Sequence, residues 1–220
     1  MSKPVVVIGG GGHARVVIDL LRRLDIEISG VCDDRLEIGS HTADGIEVIC
    51  HDRDLPTCVS PQSHDLAHGI GSLPGNDLRR TLYDRFSQLG FAFRTMIHPD
   101  AVVAANVTLG EGVQVMAGAV VQSGADIGDN CIVNTRASVD HDCRIDHHCH
   151  VAPGAVLGGG VVLGREVHVG SGAIVIQGIE IGAGTTVGAG AIVTANVPPQ
   201  RIVYPARSTV ATLESKQHES

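Results

Sequence analysis

The sequence predicts a small parallel α/β domain over residues 1–96, a parallel β-helix of hexapeptide repeats over residues 97–198, and a short tail over 199–220. Three observations predict this. A six-residue repeat runs without a slip through the second half of the chain. Short apolar strands alternate with helical patterns in the first hundred residues. The chain holds 28 Gly but no Trp, two Tyr and three Phe, so its core must be built from small and β-branched side chains.

The repeat decides the larger part. From Ile97 to Pro198 the chain divides into seventeen consecutive hexads, and every first position is aliphatic, from Ile97, Val103 and Leu109 to Val187 and Val193. Fifth positions are small or β-branched throughout, as at Ala101, Val113, Cys131, Ala137, Cys143, Cys149, Thr185 and Val197. Second positions are often glycine, as at Gly110, Gly128, Gly158, Gly164, Gly170, Gly182 and Gly188. An amphipathic helix needs apolar residues at i, i+3, i+4 and i+7, and a lone half-buried strand needs strict alternation. A six-residue beat fits neither. It fits a chain that turns a corner every six residues and sends one aliphatic and one small side chain inward from each flat face. Three faces make one coil of eighteen residues, so the hexads build just under six coils.

The first hundred residues read differently. Val5–Ile8 is a short apolar strand, and Gly9-Gly10-Gly11-Gly12-His13-Ala14 is a tight loop. A helical pattern follows through Val16, Val17, Leu20 and Leu21. Ile26–Cys32 reads as a second strand ending in Asp33-Asp34, and Ala67-His68-Gly69-Ile70-Gly71 as a buried strand end. Asn76 or Asp77 is placed to cap a helix running to Leu89, with Gly90 stopping it. A strand over Phe91–Ile97 then enters the first coil. Strands alternating with helices define a parallel α/β domain of Rossmann-like type. The glycine turn with acids about 20 residues later outlines a dinucleotide fingerprint, but fewer than a hundred residues cannot hold both halves of that fold. Helix N-terminal N–H groups still favour one nucleotide diphosphate.

Composition narrows the partners. Charged residues are 18 % and hydrophobic residues 43 %, enough to bury a real core. The net charge of −8 argues against nucleic acid or an anionic membrane as partner. No stretch approaches the roughly 18 apolar residues that cross a bilayer. The start, with an apolar run of only Val5–Ile8 leading into a glycine turn, is unlike a signal peptide. A cytoplasmic location with reduced cysteines is expected.

Together these pieces resemble the bacterial nucleotide-aminosugar N-acetyltransferases, a family that includes sialic acid O-acetyltransferases. The resemblance covers nearly the whole chain. It rests on the Gly9-Gly-Gly-Gly-His13 loop, the Asp33-Asp34 pair, Ile70-Gly71, and Ile97-His98-Pro99. The most specific stretch is Asn134-Thr-Arg-Ala-Ser-Val-Asp-His141-Asp142-Cys143, continuing through Ile145 and His150 to Ala152-Pro-Gly-Ala155. The resemblance implies a left-handed β-helix, a homotrimer with sites between neighbouring subunits, acetyl-CoA as co-substrate without a metal, and a product destined for surface polysaccharide or glycoprotein assembly. It implies His141 as general base with Asp142 raising its basicity, although Asp140 on the other side is an equal candidate by sequence. Histidine suits that task near neutral pH. The resemblance also implies that Gly11, Gly12, His13 and Gly71 line the sugar-nucleotide site and that Asp33 and Asp34 read the base or ribose. It places the His150 backbone N–H on the thioester oxygen, and Gly159, Ser171 and Ala189 along the pantetheine arm. The acceptor it implies is a nucleotide-linked 4-amino-4,6-dideoxy sugar, UDP-linked first and GDP-perosamine second. The usual closing Gly-Val-Pro-Ala-Lys reads Val203-Tyr204-Pro205-Ala206-Arg207 here.

Other readings compete. The run His141-Asp-Cys-Arg-Ile-Asp-His-His-Cys-His150 invites a zinc site, but register sends Cys131, Cys143 and Cys149 into the prism as core. Gamma-type carbonic anhydrases use the same helix with three histidines on zinc, for which His141, His147, His150 and His168 are the candidates. A scaffold or nucleotide-sugar binding protein leaves Asp140-His141-Asp142 without a purpose.

Overall fold

A computed structural model describes residues 3–206. The N-terminal part opens with β1 (Val5–Ile8), α1 (Gly12–Arg23), β2 (Ile28–Cys32) and β3 (Val48–Cys50). It continues with the short α2 (Leu55–Cys58), β4 (Asp65–His68) and α3 (Leu78–Gln88). The four strands form one parallel sheet in the order β3-β2-β1-β4. Strand geometry sends alternate side chains to opposite faces. Val5 and Val7 therefore pack under α1 with Val17, Ile18, Leu20 and Leu21. Val6 and Ile8 pack on the other face with Leu55, Leu82 and Phe86 from α2 and α3. Met96 and Met116 join the α1 cluster, so the β-helix closes that side of the domain.

Sequence and structure differ locally here. The short β3 and α2 carry no periodicity to read. Phe91–Ile97 is strand only at Met96–Ile97, with a single bridge from Leu66 to Phe93 before it. Asn76 supplies the cap of α3, its Oδ1 accepting the Leu78 N–H at 3.0 Å, while the Asp77 side chain makes no capping bond.

From Met96 onward the chain is a parallel β-helix. Two-residue strands recur and pair with the strand eighteen residues on, giving three sheets of five, six and seven strands. The register Ile132↔His150↔His168↔Thr186 is typical. First and fifth positions from Val113 to Val193 fill the prism. Thr185 is fully buried among them, and its Oγ1 donates to Pro198 O and accepts from Arg201 N–H. Cys143 and Cys149 point inward as expected, each thiol donating to a carbonyl of the next coil.

Glycine serves two purposes in the hexad. At the second position it permits close stacking of coils: a Cβ on Gly158 would lie 2.7 Å from Gln177 N. At the fourth position, from Gly112 to Gly190, every residue has positive φ. That conformation suits glycine best and Asn and Asp next, and Asp142 occupies it at φ 57°. The last strand is Ile202–Val203, paired with Thr186–Val187, so the segment read as tail supplies the seventh strand of the seven-stranded sheet. Arg207 and the rest of the tail lie outside the described residues. Among the described residues no helix is long and apolar enough to cross a membrane.

Candidate active site

Two chemical features stand out, and they sit on different parts of the prism. The first is a cleft of about 650 Å³ between the N-terminal domain and the seven-stranded sheet. Gly11, Gly12, His13, Asp33, Asp34, Gly71 and His150 all line it. The glycine loop arrives there because β1 ends at Ile8 and Gly9 turns the chain with φ 91°. Gly11 and Gly12 then open α1 at the cleft lining, and a helix start attracts anionic oxygen. Asp33 holds this loop in place: its Oδ2 accepts Gly10 N–H and its Oδ1 accepts Arg35 N–H, both at 2.7 Å. Asp34 Oδ1 accepts Asp52 N–H at 2.8 Å, and the residue is exposed at the cleft lining. Of the pair, Asp33 shapes the site and Asp34 is the freer group.

His13 follows the glycines and is mostly buried. Its Nε2 pairs with Gln114 Oε1 at 2.9 Å. Burial first, then the Arg79 guanidinium, lowers its pKa to about 4. His150 is likewise held neutral, its pKa lowered to about 3 by burial and then by His168. Its Nδ1–H donates to Ser72 O at 2.9 Å and its Nε2 accepts from Asn134 at 3.0 Å.

The second feature is the His141 edge. Ser123, His141, Gly159 and Gln177 occupy one corner of successive coils, tied by Asp142 N–H to Ser123 O, Gly160 N–H to His141 O and Gly178 N–H to Gly159 O. The His141 side chain is 62 % exposed. Its Nδ1 bonds Asp142 Oδ2 at 2.8 Å, while Asp140 Oδ1 accepts the His141 backbone N–H. The structure thus separates two carboxylates that the sequence left equal: Asp142 orients the ring and Asp140 holds the turn. The hydrogen bond to Asp142 first, and the charge of Asp140 second, raise the His141 pKa above its ordinary 6.5. Nε2 is left free beside Gly159, where a Cβ would fall 2.5 Å from it. Gly124 gives Asp142 similar room, since a Cβ there would lie 2.5 Å from Oδ1.

One expectation for the donor side needs correction. The His150 backbone N–H donates to Val167 O at 3.0 Å within the sheet, so it is not free for a thioester oxygen. The Gly159 N–H has no acceptor among the described hydrogen bonds and lies beside His141. The three residues expected along the pantetheine arm lie on two edges, Gly159 on the His141 edge. Ser171 and Ala189 are exposed on a second edge with Thr135 and Pro153, one strand away from the His141 edge.

Sequence reasoning missed Asp52, Arg79 and Gln114. Asp52 lines the cleft with Oδ1 buried and unpartnered, and burial, then Asp34, raises its pKa to about 6. Nothing in its local sequence signals this, because the contact depends on β2 and β3 being neighbours. Among the described residues no group of three or more His, Cys, Asp or Glu is placed to hold a metal ion.

A nucleotide-sized cleft on an α/β domain, joined to a hexapeptide β-helix with an outward His–Asp dyad, defines a hexapeptide acyltransferase architecture. Residues 4–86 match the PglD N-terminal domain family, and residues 124–159 match the bacterial transferase hexapeptide (six repeats) family. The UDP-N-acetylbacillosamine N-acetyltransferase of Bacillus subtilis is 36 % identical over 116 residues, covering 52 % of this chain and 52 % of that protein. The chain therefore spans about half the length of that curated relative. Two solved structures match almost end to end. The acetyltransferase domain of PglB from Neisseria gonorrhoeae is 38 % identical with TM-score 0.83, covering 90 % of this chain and 94 % of that one. PerB from Caulobacter crescentus, in complex with CoA and GDP-perosamine, is 40 % identical with TM-score 0.83, covering 92 % and 94 %. The chain belongs to the nucleotide-aminosugar N-acetyltransferase family.

Proposed function

We propose that this chain transfers the acetyl group of acetyl-CoA to the 4-amino group of a nucleotide-linked 4-amino-4,6-dideoxy sugar, as a cytoplasmic homotrimer. The observation that carries this reading is the Asp142–His141 dyad with Nε2 open beside the unbonded Gly159 N–H. The sugar amine attacks the thioester carbonyl; the N–C bond forms as its proton passes to His141 Nε2. Asp142 stabilises the imidazolium, and the Gly159 N–H donates to the developing oxyanion. The C–S bond then breaks, and the proton goes from His141 to the departing CoA sulfur. In the cleft, the α1 N-terminus at Gly11 and Gly12 takes the diphosphate, Asp34 and Asp52 face the nucleoside, and His13 and Gly71 flank the sugar. Ser171 and Ala189 carry the pantetheine arm along their edge.

Topology supports the proposed assembly. The cleft stands over the seven-stranded sheet, whereas the His141 edge joins the five- and six-stranded sheets and is the prism edge opposite. Their separation within one protomer supports a neighbour's His141 serving each cleft. The six-stranded face supports such packing. Val156, Ile174 and Ile192 form an exposed aliphatic ladder on it, bounded by the His141 and Ser171 edges. Substitution of Ile174 by Lys puts a charge in that ladder. It is expected to give monomers in sedimentation and to abolish turnover while leaving the monomer folded.

The acceptor is tested by CoA release with UDP- and GDP-linked 4-amino-4,6-dideoxy sugars and with sialic acid. One of the amines supports turnover and sialic acid does not; the reverse result moves the chain to O-acetylation. The nucleotide is decided by the same panel, the UDP-linked sugar ranking first. The base has its own signature. Because the His141 pKa lies above 6.5, kcat/KM falls as pH drops through that raised value, where the ring takes up a proton. Asp142→Asn removes the main cause, so the acidic limb moves to lower pH and kcat falls. A limb that stays in place argues against His141 as the base.

A further inference from the structure

Beneath the cleft lies a buried polar group of residues that the reaction scheme does not use. Gln114 is 1 % exposed and Arg79 is 4 % exposed. Arg79 is a buried cation that makes no ion pair with a carboxylate among the described residues. Its Nη1 donates to Ile70 O at 2.7 Å and to Gln114 Oε1 at 3.4 Å, its Nε donates to Asn130 O at 3.4 Å, and its Nη2 is unpartnered. Burying a charge in this way is costly, and what it secures is the orientation of Gln114. The Gln114 amide N–H donates to His68 O at 2.7 Å, so its Oε1 must point the other way and accept. Arg79 donates to the same oxygen. An oxygen that can only accept requires a donor from His13, whose Nε2 lies 2.9 Å away. The ring's other nitrogen makes no hydrogen bond among the described residues, and His13 lines the cleft.

We propose that Gln114 and Arg79 are positioning residues that lock His13 in the Nε2–H tautomer, so that its bare Nδ1 accepts a hydrogen bond from a hydroxyl or amine of the acceptor sugar. Gln114 belongs to the β-helix, whereas His13 stands at the head of α1, so the lock also sets the angle between the domains at the cleft. The buried charge of Arg79 disfavours a second proton on His13, as on the neighbouring His68 and His150. This role rests on the acetyl-transfer reading only for its kinetic consequence; the tautomer is a property of the free protein.

The test is a pair of measurements on the full chain. Long-range proton–nitrogen correlation spectra, assigned with a His13→Asn variant, show His13 in wild type carrying its proton on Nε2. Gln114→Leu removes the acceptor and gives a mixture of tautomers. Gln114→Glu keeps an acceptor in place and retains the Nε2–H form at pH 8. In kinetics, Gln114→Leu raises KM for the acceptor sugar about tenfold, the worth of one hydrogen bond, with KM for acetyl-CoA unchanged. In a His13→Asn background the same substitution adds nothing further. A wild-type His13 protonated on Nδ1 overturns the proposal. So does a Gln114→Leu penalty that persists in full without His13, which assigns Gln114 a packing role alone. Absence of acetyl transfer with a correct tautomer pattern contradicts the functional reading instead.

Discussion

Replacing His141 by Ala lowers kcat about 10²- to 10⁴-fold, the range in which a positioned general base contributes, with little change in KM for either substrate. The imidazole touches few neighbours and is 62 % exposed in the single chain, so its removal leaves the prism intact and the melting temperature unmoved. The loss is confined to the proton-transfer step. It is therefore largest for an acceptor amine and smallest when the nucleophile needs no base. The check is steady-state CoA release across pH for wild type and variant. An unimpaired variant removes the base assignment and passes it to His13, the cleft imidazole with only Nε2 engaged, since both ring nitrogens of His150 are held.

The second large effect needs only one methyl group. In Gly159→Ala the new Cβ falls 2.5 Å from His141 Nε2, 2.6 Å from Cε1 and 3.1 Å from Cδ2. The exposed ring can swing away, so folding is spared. The base is then displaced by about an ångström from the position the attacking amine requires, a misplacement worth about 10²-fold in rate. Gly11→Ala is the informative contrast, since a Cβ there meets nothing within 4 Å. It leaves kcat near wild type and acts, if at all, on the nucleotide sugar's KM. Rate and melting temperature measured together separate displacement of His141 from damage to the coil. A Gly159→Ala protein with wild-type kcat contradicts the geometry.

Much of this was legible in the hexad register. A third position faces out at a corner, which put His141 on the surface, and a fifth position faces in, which made Cys131, Cys143 and Cys149 core. The choice between Asp140 and Asp142 was not legible, because it depends on the left-handed turn at Asp142, a fourth-position requirement hidden among mixed residue types. Register also fixes which edge each residue occupies. Counting by eighteen places Gly159 on one edge and Ser171 and Ala189 on another. The His150 N–H failed as a donor for a related reason: a sixth-position residue lies within a strand, and its N–H is committed to the next coil. The residues that went unseen, Gln114, Arg79 and Asp52, act across the domain boundary or between strands. Gln114 meets His13 over 101 residues of chain, and no local periodicity carries that information.

The central claim is that a cleft and a base lying on opposite parts of one protomer meet between copies. Mixed trimers test it most directly. Gly12→Asp places a carboxylate where the diphosphate binds and kills the cleft, while His141→Ala kills the base; each variant alone is inactive. Co-assembled in equal amounts with random association, a site shared between neighbours in a cyclic trimer recovers about a quarter of wild-type CoA release. A mixture that stays inactive although mixed trimers form contradicts the account and places base and cleft within one chain.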